Sequence, residues 1–133
     1  LANIRRMIKL YDSMLKPVCS RYGLVPIEAT IISFLFNHPG RDTAADIVEL
    51  RMLSKSNVSQ AVESLIQKSL LQRRIHLLLT AEAAPITAEI EKVRASFHKK
   101  IFRGFTEEEQ RLFTAFNERI AENTKCTEGE ITV

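Results

Sequence analysis

The sequence holds only four glycines, and they do not cluster. A glycine loop that cradles phosphate is therefore excluded. No nucleophile elbow and no paired-acid motif is present, so enzymatic activity is not expected. Three histidines, His38, His76 and His98, fall on separate predicted elements. None has cysteine or carboxylate at ligand spacing, so neither a metal nor any other cofactor is expected. The two cysteines, Cys19 in a helical pattern and Cys126 in a polar stretch, make no disulfide framework. A reducing, cytoplasmic setting fits that usage. No apolar run approaches the ~18 residues of a membrane span. No signal-peptide pattern opens the chain, and a membrane partner is not expected. The first residue is Leu1 rather than Met, as expected of a trimmed chain.

What is present is an ordinary globular composition. With 133 residues, 45% apolar and 26% charged, the chain can bury a core as one domain without covalent or metal staples. Net charge is +3 with pI near 9.0, a mild bias toward polyanions. Its distribution says more. Acidic residues crowd between Glu82 and Glu130, whereas Lys55, Lys68, Arg73 and Arg74 share a stretch whose single acid after Glu49 is Glu63. Such a cluster is either a nucleic-acid contact or a solvated face.

Apolar periodicity places the helices. Ile4, Met7, Ile8, Tyr11, Leu15, Val18, Cys19 and Tyr22 follow helical spacing until Gly23, with Pro17 expected to kink the helix. Pro26 opens a second helix carrying Ile27, Ile31, Ile32, Leu35 and Phe36, which stops at Asn37–Gly40. Thr43 with Asp46 forms a capping-box pattern for a short helix over 44–50. Ser54 caps the next helix, which carries Val58, Ala61, Val62, Leu65 and Ile66. Thr80 is placed to cap a long helix toward Arg103, and Thr106 with Glu107, Glu108 and Glu109 opens a last one bearing Leu112, Phe113, Phe116 and Ile120. Residues 123–133 read as a polar tail.

The short helix, the three-residue turn and the helix after Ser54 fit a helix-turn-helix. At about 100° per residue, the outer side of that second helix carries Ser56, Gln60, Glu63 and Gln67, flanked by Asn57 and Ser59. Such side chains can read base edges or phosphates, although any amphipathic helix also has a polar outside. The run TAADIVELRMLSKSNVSQAVESLIQKSLLQRR resembles the winged helix-turn-helix of the MarR family of bacterial transcriptional regulators. The likeness continues through RIHLLLT into GFTEEEQRLFTAFNERI and covers roughly residues 4–122.

This resemblance implies a mainly α fold: one MarR-like domain over 1–133, with a winged helix-turn-helix at 25–80 and dimerisation helices at 1–24 and 81–122. It further implies a homodimer on a pseudo-palindromic operator in double-stranded DNA, with recognition helices ~34 Å apart. Carried over position by position, the DNA-facing candidates are Ser54, Lys55, Ser56, Asn57, Ser59 and Gln60, with Arg73 and Arg74 flanking the wing. A repressor released by a small molecule or an oxidant is the implied mode. Tyr11, Leu15, Phe34 and Ile47 are placed as effector-pocket walls, and Cys19 as a redox candidate, although a lone cysteine in an apolar stripe is usually core. The competing reading is a helical protein-interaction module on the same scaffold, without DNA.

One departure from the family pattern stands out. Between Ser69 and Thr80 there is no Gly, Pro, Asn or Asp to make a hairpin turn. The expectation is that the wing loop is missing, with the chain discontinuous or the wing stunted close to Arg74. A continuous backbone through Arg73, Arg74 and Ile75 excludes a lost loop.

Overall fold

In the computed structural model, which describes residues 1–125, six helices and one hairpin follow the expected order. They are α1 (Ala2–Tyr22), α2 (Pro26–Asn37), α3 (Ala44–Arg51), α4 (Lys55–Gln67), β1 (Leu71–Arg73), β2 (Leu77–Leu79), α5 (Ala84–Ile101) and α6 (Glu107–Thr124). The contacts divide the chain into two units, Leu1–His98 and Lys99–Val133. No single helix among the described residues is long and apolar enough to cross a membrane. Cys126 and most of the expected tail lie outside the described residues, while Asn123 and Thr124 are the end of α6.

The first unit buries one core. Leu15 and Val18 of α1 meet Ile31, Ile32 and Phe34 of α2, Ile47 of α3, and Val58, Val62 and Leu65 of α4. Leu71 and Leu77 of the hairpin, with Ile86 and Ile90 of α5, complete it. Three helices end by one device. Gly23, Met52 and Ser69 each adopt the left-handed conformation, at φ 64°, 53° and 63°. In each case the next residue is a leucine whose N–H returns to a carbonyl five residues back: Leu24 to Cys19 at 2.9 Å, Leu53 to Val48 at 3.3 Å and Leu70 to Leu65 at 3.0 Å. This is the Schellman closure, which satisfies carbonyls that would otherwise be orphaned. Only Gly23 announces it in sequence. Pro17 does not divide α1, which runs through it as one element.

The wing is stunted, one of the two outcomes that the sequence left open. Arg74, Ile75 and His76 make the turn between two strands of three residues. In the antiparallel register Leu71 faces Leu79, Gln72 faces Leu78 and Arg73 faces Leu77. Arg74 N–H donates to the His76 carbonyl at 3.1 Å, and Thr80 N–H to the Leu70 carbonyl at 3.1 Å. Hydrogen-bonded pairs alternate along such a ladder, so the N–H of Leu77 points away from β1. It donates to the carbonyl of Asp42 at 2.8 Å, and the His76 ring meets the Asp42 carboxylate at 2.6 Å. The turn needs no glycine because none of Arg74, Ile75 and His76 adopts a positive φ. Thr80 does not cap the following helix. Its hydroxyl donates instead to the Ser69 carbonyl at 2.6 Å, closing the base of the hairpin, and a 3-10 turn at Ala81–Ala83 leads into α5.

A buried carboxylate ties α4 to the rest. Glu28, 1% exposed, accepts from the Val25 N–H at 2.9 Å and the Ser64 hydroxyl at 2.8 Å. The Lys68 ammonium donates to both its oxygens at 2.9 Å and to the Gly23 carbonyl at 2.8 Å. Burial pushes the Glu28 carboxyl up, but Lys68, the Val25 amide and Ser64 together outweigh it and hold it below the ordinary glutamate value. The second unit is smaller. Phe102 meets Phe105 and Phe113 edge to face at 5.4 and 5.3 Å, and Thr106 and Glu109 form the expected capping box. No residue of α6 is buried.

Two expectations follow from these contacts. A depressed carboxyl contributes stability that is complete above its unfolded pKa and is lost as pH falls through the folded value. Lys68→Met should therefore cost about 3 kcal/mol at pH 7 by stranding a buried charge, with the deficit shrinking as pH falls and the stranded Glu28 carboxyl takes up a proton. Urea unfolding at a series of pH values measures this, and an equal deficit at pH 7 and pH 3.5 contradicts it. Met52 is 91% exposed in its left-handed slot. Met52→Gly should thus raise stability by about 0.5–1 kcal/mol, the steric relief exceeding the added chain entropy; a lower urea midpoint would refute this.

Candidate nucleic-acid interface

The capped helix α4 builds the surface. Ser54 sits in extended conformation and its hydroxyl oxygen accepts from the Asn57 N–H at 3.1 Å. That bond starts the helix, while Val58, Ala61, Val62 and Leu65 bury its inner side against the core. Its rotation is consequently set, and the outer side must face solvent. Lys55, Ser56, Asn57, Ser59 and Gln60 are all exposed, and none of their side chains makes a hydrogen bond described within the chain. The α3 capping box holds the preceding helix: the Asp46 N–H donates to the Thr43 hydroxyl at 3.1 Å, and the Thr43 N–H to the Asp46 carboxylate at 3.3 Å.

The basic residues grouped by the sequence separate into two kinds. Lys68 is consumed by Glu28 and Gly23. Arg73 on β1 pairs with Glu63 of α4 at 2.5 Å, which seats the wing beside that helix. Lys55 and Arg74 are exposed with no described ion pair of their own. Arg74 belongs to the wing tip with Ile75, which is 91% exposed, and His76, which is held by Asp42. Of the eight DNA-facing candidates, Ser54 is engaged in capping and Arg73 in an ion pair. Lys55, Ser56, Asn57, Ser59, Gln60 and Arg74 present side chains that can reach outward.

The remaining candidates fall elsewhere in the first unit. Leu15, Phe34 and Ile47 are buried in the core, and Tyr11 packs at its edge against Phe97, centroids 5.3 Å apart. Burial pushes the Tyr11 hydroxyl up. Two described cavities are lined by other residues. One of about 670 Å³ lies along Arg73, Arg74, Thr80 and Glu82. The other, about 420 Å³, lies between Val25, Asn57, Gln60 and Lys68. Cys19 is buried, and burial, with Glu28 and Asp12 nearby, pushes its thiol up, away from the thiolate that reacts with oxidants. His38 stacks on Phe34 at 4.3 Å. Among the described residues no three His, Cys, Asp or Glu side chains converge as metal ligands. Sequence reasoning missed Glu28 and Ser64 and treated Lys68 as one more surface cation. Glu28 lies 36 and 40 positions from these partners, and nothing local marks the three as a set.

Comparison with known proteins places this geometry. Residues 22–76 match the family model described as MarR family. A MarR-family transcriptional regulator from Silicibacter pomeroyi is 18% identical, with a TM-score of 0.82 over 94% of this chain and 89% of its own. MepR of S. aureus, solved with DNA, is 15% identical, with a TM-score of 0.73 over 94% of this chain and 96% of its own. Rv2887 of Mycobacterium tuberculosis, also solved with DNA, is 18% identical, with a TM-score of 0.66 over 90% and 94%. A search of curated proteins returned no match. The structural likeness extends well beyond the matched segment, through the helices on either side. The resemblance drawn from the sequence therefore holds: this chain carries a MarR-family segment over residues 22–76, set in a MarR-type winged helix-turn-helix fold.

Proposed function

We propose that this protein is a sequence-specific DNA-binding transcriptional regulator acting as a homodimer on a pseudo-palindromic operator. The observation that carries this reading is the outer face of α4. It is rotated outward by the core, capped at Ser54, and lined by Lys55, Ser56, Asn57, Ser59 and Gln60 free of described hydrogen bonds within the chain. Asn and Gln can bond adenine bidentately, and a helix N-terminus favours phosphate. The similarity to MepR and Rv2887, both solved with DNA, supports the same use. Arg74 at the wing would meet the phosphates or the minor groove.

Apolar faces support the homodimer. On α1, Ile4 and Ile8 are exposed by 55% and 56%, and Leu1 just before it by 96%. On α6, Leu112, Phe113, Phe116 and Ile120 are each more than two-fifths exposed, at helical spacing. Stripes of this size are normally covered. The regulatory mode we favour is repression relieved by a small molecule. A ligand that parted Tyr11, Leu15, Phe34 and Ile47 would favour a dimer whose recognition helices no longer match the groove spacing. The raised Cys19 thiol weighs against the oxidant route. No catalytic role is assigned to any residue.

Titration of the purified protein against its own upstream DNA, by anisotropy at 50 and 200 mM salt, tests the reading. Gln60→Ala should change sequence preference at one or two positions, a cost of about 1–3 kcal/mol on the preferred site. Arg74→Ala should weaken specific and random DNA alike and flatten the salt slope by about 1. Equal losses from both variants on both DNAs contradict this division of labour. An absence of binding at low salt would favour the protein-interaction module. Light scattering should return twice the chain mass, and Phe116→Glu should reduce it toward one chain.

A further inference from the structure

The ion pair between Glu63 and Arg73 lies within the surface assigned to DNA, and it takes up a cation that the sequence counted for that surface. Glu63 stands on the same stripe of α4 as Ser56, Gln60 and Gln67, at intervals of four, three and four residues, all exposed. It is the single acid on the outer side of this helix. Arg73 belongs to the neighbouring strand, and its guanidinium reaches the Glu63 carboxylate at 2.5 Å with both side chains 52% exposed. A bare carboxylate on a stripe that approaches a phosphate backbone repels it. A carboxylate covered by a guanidinium does not, and a guanidinium so engaged cannot neutralise a phosphate at full strength.

We propose that Glu63 and Arg73 form an internal neutralising pair that sets the affinity of the recognition surface for duplex DNA. Glu63 stands in for a phosphate and withholds Arg73 from the backbone, while Arg73 masks the one charge that would repel it. The inference rests on the DNA-binding reading above and assigns Glu63, a residue outside the candidate contacts, the role of tuning it. Wild-type affinity then comes from Lys55, Arg74 and the neutral side chains, with the pair contributing almost no net charge. Sequence preference is left to the hydrogen-bonding residues.

A double-variant cycle decides the matter. Dissociation constants for operator and random DNA are measured for wild type, Glu63→Gln, Arg73→Ala and the double variant, each across a salt series. Glu63→Gln should release Arg73 to a phosphate, tighten both DNAs by roughly threefold to tenfold and steepen the salt slope by about 1. Arg73→Ala should unmask Glu63, whose half-exposed charge is screened by solvent and salt, and weaken both DNAs by no more than about twofold. The double variant should match wild type, so that Arg73→Ala costs several-fold more in the Glu63→Gln background than in wild type, a coupling expected only of interacting groups. Both groups are half exposed, so unchanged unfolding midpoints verify that each variant keeps the fold. An equal loss from Arg73→Ala in the wild-type and Glu63→Gln backgrounds overturns the proposal, because Arg73 would then act on DNA independently. A loss of operator preference in Glu63→Gln also overturns it, because Glu63 would then read a base. If wild type binds neither DNA at 50 mM salt, the DNA-binding reading fails and the inference falls with it. The cycle thus separates the two failures.

Discussion

The buried carboxylate of Glu28 is the constraint on which the placement of α4 depends. Removing such a group from water costs several kcal/mol, and the cost is recovered only with good geometry and full hydrogen bonding. Here one oxygen takes the Val25 N–H, the other takes the Ser64 hydroxyl, and Lys68 spans both. Lys68 is also the residue that ends α4, and its third described bond goes to the carbonyl of Gly23, which closes α1. One ammonium thus joins the ends of two helices to the start of a third. The apolar inner face of α4 fixes its rotation, but greasy contacts alone would let it slide along its axis. Directional bonds at its C-terminal end remove that freedom.

The wing follows from similar economy. In a free hairpin the outward N–H of Leu77 would be left to water. Asp42, from the connection before α3, supplies the carbonyl for Leu77 and the carboxylate for His76. The hairpin is thereby fastened on the side away from α4, while Arg73 and Glu63 fasten it on the near side. A wing held from both sides can be short and still project a tip. The cost falls on charge: His76, Arg73 and Lys68 all have acidic partners. The surface that faces outward is correspondingly rich in hydroxyl and amide groups and modest in cations.

Much of the architecture was legible from residues a few positions apart. Thr43 with Asp46, Ser54, and Thr106 with Glu109 start helices where the capping patterns place them. Val58, Val62 and Leu65 are buried, and Gln60 is exposed, as helical periodicity requires. Where expectation and structure part, a distant partner has intervened. Thr80 looked like a cap but spends its hydroxyl on Ser69, eleven residues back. Met52 and Ser69 do not look like left-handed residues, yet each ends a helix in that conformation because the following leucine is drawn toward the core. His76 of the wing turn is held by Asp42, 34 residues away, a contact that no local pattern announces.

The sequence by itself determined the helices, their order and the inner face of α4, because capping and amphipathic burial act over one or two turns, and its residues 22–76 carry the resemblance to the MarR family. Only the tertiary structure decided which charges remain available. Whether Lys68, Arg73 or Arg74 can meet a phosphate depends on which carboxylate lies within reach, and the chain brings Glu28 and Glu63 to their partners from 40 and 10 residues away. Electrostatic pairing is set by distance in space, which local pattern does not carry.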